Sequence, residues 1–155
     1  FFVGTPSKVS GVGLDVIASH AEQPTMTTMA CARIDVDTRR IHYSVAGHPP
    51  PLVRSATGQV TRLDGAGSPP LAIRWEHPRV DAVATLAPGS AVLFFTDGLI
   101  EQRRAPIDGR LEELERALSA IDCTDADAAC DAFTSGMLRT SAHEDDVALV
   151  CVTIA

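Results

Sequence analysis

The sequence has no long hydrophobic segment. No apolar run approaches the roughly 20 residues that a membrane-spanning helix needs, and Phe1-Phe2-Val3 has neither the basic flank nor the apolar length of a signal peptide. These absences argue against a membrane protein and give no indication of export. We therefore expect a cytoplasmic protein, and its 155 residues are enough for one domain with a buried core.

Lysine is nearly absent, and the positive charge is not clustered. Lys8 is the single lysine among 13 basic residues, the arginines are dispersed along the chain, and the net charge is −7. A nucleic-acid-binding face needs clustered positive charge, so we expect no nucleic-acid partner. An acidic protein can still bind a phosphorylated substrate where metal ions supply the positive charge.

The sequence also has no Cys-x-x-Cys pair. Its cysteines, Cys31, Cys123, Cys130 and Cys151, are scattered along the chain, and this spacing does not indicate a zinc site. In a reducing cytosol they would remain thiols, and free cysteine usually packs as a small hydrophobic residue. We expect small buried thiols without a chemical role.

What the chain does contain is a series of short strand-like segments and three helical ones. The strand-like segments are 25–35, 40–46, 51–55, 59–64, 80–86, 91–96 and 147–154. Short turns within the first and second pairs predict two hairpins, a strong turn signal separates the next pair, and the last segment is a continuous apolar run typical of a central strand. The helical segments are 4–20, 109–121 and, capped by Thr124, 125–139. This order predicts an α+β fold with two sheets and helices outside them.

Two of the predicted strands have carboxylates at their ends. Asp97 directly follows the apolar run of the sixth strand, and Asp145 belongs to an acidic cluster before the last one. Side by side in one sheet, these strands would bring both carboxylates to a common point, where a divalent cation relieves their repulsion. Oxygen-only ligands favour Mg²⁺ or Mn²⁺ over zinc. The spacing leaves an alternative open, because Asp-Gly after a strand is also a common turn.

A third segment, SVAGHPPPLV (44–53), is unusual in its backbone chemistry. Its three consecutive prolines cannot run inside a sheet, and Gly47 permits an uncommon backbone angle immediately before His48. One interpretation places His48 near a catalytic pocket. The other is a rigid connection between strands in which His48 makes only a local hydrogen bond.

Three ordered segments, AGHPPP (46–51), PGSAVLFFTDGLIEQR (88–103) and EDDVALVCV (144–152), resemble the PP2C-like metal-dependent protein phosphatases, specifically the SpoIIE/RsbU subfamily of bacterial stress and sporulation regulators. SPPLAI (68–73) also fits, with Ala72 where the family usually has glycine. The resemblance implies an α-β-β-α sandwich with a dinuclear Mn²⁺ or Mg²⁺ centre between its sheets. It implies that Asp97 and Asp145 are metal ligands, and that the residues beside them or in the surrounding pocket include Gly98, Asp146, His48 and Arg103.

The same resemblance implies a serine/threonine protein phosphatase. In such an enzyme a metal-activated water, and no protein nucleophile, attacks phosphorus. The usual substrate in this subfamily is a phosphorylated anti-anti-sigma factor, a STAS-type protein, whose dephosphorylation frees a sigma factor by partner switching. This substrate assignment is an expectation from the resemblance.

The sequence departs from the family pattern in one respect. The family has an earlier segment of the type Gly-Asp-x-x-Gly-His-Gly, whose aspartate bridges both metals, and nothing like it occurs before Thr25. We therefore expect a domain that lacks its N-terminal strands and binds metal weakly. Exposed sheet edges would then favour self-association, or a partner that covers them.

Two other functions are compatible with parts of this pattern. The first is a non-catalytic interaction module, a phosphatase scaffold without its bridging ligand. The second is an aspartyl-phosphate phosphatase of the haloacid dehalogenase type, which also has aspartate at a strand end. That class normally needs Asp-x-Asp, whereas Phe95-Thr96-Asp97 offers one carboxylate.

Overall fold

The computed structural model describes residues 26–73, 77–100, 107–137 and 146–155. These residues group into two compact units. The first unit comprises the described residues up to Pro50 together with Leu63–Thr85, and the second comprises Pro51–Arg62 with the described part of Leu86–Ala155.

Each unit has its own sheet, and the chain passes between the units more than once. In chain order the described strands are β1 (Met29–Asp35), β2 (Arg40–Ala46), β3 (Leu52–Arg54), β4 (Val60–Arg62), β5 (Gly67–Ser68), β6 (Ala82–Thr85), β7 (Ala91–Phe95) and β8 (Leu149–Thr153). The described α-helices are α1 (Ile107–Ala120) and α2 (Ala126–Met137), and a 3-10 turn covers Asp97–Leu99. Neither α-helix has the length and apolar character needed to cross a membrane.

The first unit is built on the hairpin of β1 and β2. The two strands pair antiparallel from Met29↔Ala46 to Asp35↔Arg40, and Thr38 N donates to Asp35 Oδ1 at 3.0 Å within the turn. The other edge of β2 pairs with two short strands, antiparallel with β6 and parallel with β5. Strand β2 has neighbours on both sides, and its residues from Tyr43 to Ala46 are buried. The first predicted hairpin is confirmed.

The second unit has the strand order β4-β3-β7-β8, with antiparallel pairs throughout. Leu52, Leu93 and Cys151 lie in one row across three strands of this sheet. That row belongs to a core completed by side chains of both helices, namely Leu111, Leu114, Leu118, Ala129 and Phe133. Hydrophobic burial against the helices therefore holds this sheet. The second hairpin is confirmed, and the described helices coincide with the predicted helical segments 109–121 and 125–139 as far as Met137.

Several predicted details differ in the structure. Segments 80–86 and 91–96 form strands on either side of a turn, yet β6 and β7 belong to different sheets. The last strand, expected in the centre, pairs among the described residues with β7 alone and ends its sheet. Helix α2 is capped by Asp125 and not by Thr124, because Asp125 Oδ1 accepts from the amides of Asp127 and Ala128 at 2.9 and 3.1 Å. The predicted helix 4–20 lies outside the described residues.

The cysteines are free thiols, as expected. Cys123 is buried, whereas Cys31, Cys130 and Cys151 are half-buried. The predicted fold class is also confirmed, since the described residues form a mixed α+β fold with antiparallel sheets and two helices.

Candidate metal site

Strand β7 positions Asp97. Its residues Ala91, Val92, Leu93 and Phe95 are buried, and the chain returns to the core immediately after the aspartate through Leu99 and Ile100. The carboxylate therefore sits in a short turn anchored on both sides by buried side chains. An aspartate held in this way has little freedom to move, as a ligand for a metal ion requires.

Strand β8 brings the acidic segment to the same end of the sheet. The antiparallel register pairs Phe95 with Leu149, and Thr96 N donates to Ala148 O at 3.0 Å, one step further along the pair. In an antiparallel pair the residues that follow one strand face those that precede the other. Asp146 therefore lies at the strand end that carries Asp97.

The hydroxyl of Thr96 joins the two segments directly. Thr96 Oγ1 accepts a hydrogen bond from Ala148 N at 2.9 Å and donates to Asp146 O at 3.1 Å. Sequence reasoning missed this residue. Its only signal was its position, a hydroxyl residue between a buried strand and a turn aspartate.

The carboxylate of Asp97 is half-buried, with its oxygens used unequally. Oδ1 accepts a hydrogen bond from Gly98 N at 3.1 Å, and Oδ2 accepts none from the described residues. Gly98, whose amide makes this bond, is buried. A rigid carboxylate with one oxygen available fits the oxygen ligation that Mg²⁺ and Mn²⁺ prefer.

The second predicted ligand is Asp145, and Asp146 and Arg103 are predicted beside the ligands or in the pocket. Asp145 and Arg103 lie outside the described residues. Asp146 is exposed, and its backbone carbonyl is the acceptor for Thr96. Among the residues that the structure describes, no group of three or more His, Cys, Asp or Glu side chains could hold a metal ion. The donors at this strand end are oxygen atoms, the ligand type that a hard divalent cation prefers. The described residues do not complete a metal site by themselves.

His48 belongs to the first unit and has a different setting. Its Nδ1 lies 3.0 Å from Pro49 O, and because a carbonyl only accepts, Nδ1 must donate the proton. In the neutral ring Nε2 is then the acceptor. This is the local hydrogen bond that one interpretation of the sequence predicted.

Arg79 is a second residue that sequence reasoning had no cause to select. Its side chain is buried in the first unit, where Nη1 and Nη2 donate to the carbonyls of Pro69 and Pro70 at 2.7 and 3.3 Å. No spacing or motif in the sequence links an arginine to prolines nine and ten residues earlier. Only the fold brings these groups together.

The family model "Stage II sporulation protein E (SpoIIE)" matches residues 6–155. A solved structure of the RsbU and RsbW domains of a Mycobacterium tuberculosis protein is 27% identical, with a TM-score of 0.78 over 89% of this chain and 40% of that one. The PP2C phosphatase domain of the cell fate determinant SpoIIE from Bacillus subtilis, solved with a fragment of its regulatory domain, is 19% identical, with a TM-score of 0.74 over 89% of this chain and 42% of that one.

A third similar structure is RsbX in complex with magnesium, 16% identical, with a TM-score of 0.63 over 89% of this chain and 61% of that one. This chain thus spans between 40% and 61% of the length of these solved chains. The two structures below 25% identity support the fold alone. The family match, which covers nearly the whole chain, shows that this protein belongs to the SpoIIE family of PP2C-like phosphatase domains.

Proposed function

We propose that this protein is a metal-dependent serine/threonine protein phosphatase whose site lies at the end of the β7–β8 pair. The observation that carries the proposal is the attachment of the Asp146–Ala148 segment to Thr96, next to Asp97. In the proposed site Asp97 and Asp145 are the metal ligands. Asp146 and Gly98 support them, and Arg103 belongs to the surrounding pocket.

The chemistry follows from these side chains. Mn²⁺ or Mg²⁺, when bound, would supply an activated water and bind the phosphate oxygens. Asp97 contributes a carboxylate oxygen that no described residue occupies, while the Gly98 amide orients the other oxygen. Because the turn is anchored in the core, the ligand is preorganised before the cation arrives. RsbX, which shares this fold, was itself solved in complex with magnesium, and we take the cation here to be of the same class.

We propose a phosphorylated STAS-type anti-anti-sigma protein as the substrate. Support comes from the similar Mycobacterium tuberculosis protein, whose RsbU domain occurs with an RsbW domain. The same proposal includes a single phosphatase domain located in the cytoplasm. It also includes self-association of the chain through exposed sheet edges. Within the described residues the outer edge of β8 has no strand neighbour, which is the kind of edge that a second chain can extend.

A specific observation favours one alternative, a phosphatase-like interaction module without catalysis. The described residues contain no group of three or more His, Cys, Asp or Glu side chains that could hold a metal ion. A module of this kind would keep the fold and bind a partner, yet it would hydrolyse nothing.

Mn²⁺-dependent hydrolysis of p-nitrophenyl phosphate separates these functions. We would compare the wild-type chain with Asp97→Asn and, as a matched control, with Asp131→Asn, since Asp131 is an exposed aspartate on α2. Hydrolysis that needs Mn²⁺, is lost in D97N and persists in D131N would support the phosphatase. A folded chain without activity, at any Mn²⁺ concentration, would favour the interaction module.

The substrate needs its own assay. Release of phosphate from a serine-phosphorylated STAS-domain protein is compared with release from an unrelated phosphoserine protein. Faster hydrolysis of the STAS protein is expected, and equal rates would contradict the proposed substrate class.

A further inference from the structure

We propose that Thr96 is a positioning residue whose hydroxyl sets the divalent-cation affinity of the site. It does so by holding the Asp146–Ala148 segment against the turn of Asp97. The inference deepens the proposed function and rests on it, because it assumes that the cation binds at this strand end. It concerns a side chain that is not one of the proposed metal ligands.

The hydroxyl has a task that the main chain cannot perform. A complete antiparallel pair at Thr96 and Ala148 would exchange two main-chain hydrogen bonds. One of them is present, from Thr96 N to Ala148 O at 3.0 Å. The Thr96 carbonyl instead accepts from Leu99 N at 3.1 Å and so closes the turn that carries Asp97. Thr96 Oγ1 accepts from Ala148 N at 2.9 Å in its place.

The same hydroxyl also donates its proton. The acceptor is Asp146 O at 3.1 Å, with Ala148 O further away at 3.4 Å. One oxygen atom thus replaces a missing ladder bond and fixes the carbonyl of the residue that follows Asp145 in the chain. The turn can leave the sheet at Asp97 while the opposite segment stays attached at Asp146 as well as at Ala148.

Removal of the hydroxyl should therefore loosen the Asp146–Ala148 segment and leave strand β7 intact. Thr96→Val keeps the branched shape but leaves Ala148 N and Asp146 O without this partner. Thr96→Ser keeps both hydrogen-bonding functions. Residues that hold metal ligands in place typically contribute 10- to 100-fold to metal affinity, so we expect T96V to weaken Mn²⁺ binding by roughly that factor.

The test is isothermal titration calorimetry of the full chain with MnCl₂. Wild type, T96V, T96S and D97N are compared, with Thr134→Val as a matched control. The hydroxyl of Thr134 makes comparable bonds within α2, to the carbonyls of Cys130 and Asp131 at 3.0 and 3.1 Å. We expect weaker binding in T96V, near-normal binding in T96S and T134V, and none in D97N.

Amide hydrogen exchange of the metal-free proteins gives a readout independent of catalysis. Faster exchange at Ala148 is expected in T96V and not in T134V. Circular dichroism identifies any variant that has lost its fold, and Thr96→Ala replaces T96V if the valine is not accommodated. Mn²⁺ binding by folded T96V or T96A with wild-type affinity would overturn the inference.

The proposed function can fail separately. Mn²⁺ binding that depends on the Thr96 hydroxyl, in a chain that hydrolyses no phosphate ester, would support the positioning role and contradict the phosphatase. A wild-type chain that binds no Mn²⁺, or a D97N variant that binds it normally, would overturn both.

Discussion

Gly47 packs directly against the ring of Pro70. A Cβ added at Gly47 would lie 2.6 Å from Pro70 Cδ and 2.9 Å from Pro70 N, closer than real Cβ atoms approach. Gly47 also has a φ of +63°, which side chains other than glycine rarely adopt. Its amide donates to Ser68 O at 2.7 Å. Arg79 donates hydrogen bonds to the carbonyls of Pro69 and Pro70. His48 therefore follows a rigid point of the first unit.

Gly47→Ala should destabilise the protein markedly. The added methyl group collides with a proline ring that is itself held in place, and the backbone angle adds strain. Together these costs are expected to reach about 2–4 kcal/mol in the free energy of unfolding, measured by urea denaturation. The control is Gly67→Ala in the same unit, where an added Cβ meets nothing within 4 Å. Equal stability of the two variants would contradict the close packing.

Mn²⁺ should stabilise the wild-type chain against heat. A ligand that binds only the folded state adds about 2.7 kcal/mol at a concentration 100 times its dissociation constant. We expect Tm to rise with Mn²⁺ in wild type and in Asp131→Asn, and to stay constant in Asp97→Asn. Differential scanning calorimetry with and without EDTA measures the change in Tm. An equal rise in Tm in all three proteins would show that Asp97 is not a metal ligand.

Asp125→Ala should cost about 1 kcal/mol of stability, the usual contribution of an N-cap. Its carboxylate accepts from the first amides of α2. Thr124→Ala should cost less, because Thr124 bonds to Asp122 and not to the first amides of α2: its main-chain amide donates to Asp122 Oδ1 at 3.0 Å. Chemical denaturation of both variants distinguishes the two caps, and the opposite ranking would restore Thr124 as the cap.

Cys151 should react slowly with alkylating reagents. Burial, followed by the neighbouring thiols of Cys123 and Cys130, raises the pKa of the Cys151 thiol to about 11. The thiolate, which is the reactive form, is therefore scarce at pH 8. Iodoacetamide labelling followed by mass spectrometry should modify Cys151 much more slowly in the native protein than in urea. Equal rates would contradict the raised pKa.

The same pKa gives a direction for the pH dependence of stability. The folded state holds the Cys151 proton more tightly than the unfolded state, so the resulting stabilisation is complete below the ordinary thiol pKa. It is lost as pH rises from there through about 11. Unfolding free energies measured from pH 8 upward should fall less steeply in Cys151→Ser than in wild type.

The sequence by itself determined the elements that depend on neighbouring residues. The hairpins of β1 with β2 and of β3 with β4 follow from alternating strands with short turns, and α1 follows from the spacing of Leu111, Leu114 and Leu118. The position of Asp97 at the end of a buried strand was equally local. The order of the motifs was enough to identify the family.

Only the tertiary structure decided how these elements are joined. The turn at 87–90 suits a hairpin as well as it suits the observed passage from β6 to β7, which belong to different sheets. The cap of α2 depended on which of two adjacent side chains reaches the free amides. The role of Thr96 was unpredictable because its carbonyl is used by the Asp97 turn. Its hydroxyl is thereby left to pair with a segment some 50 residues away in the chain, and such long-range hydrogen bonds have no signature in local sequence.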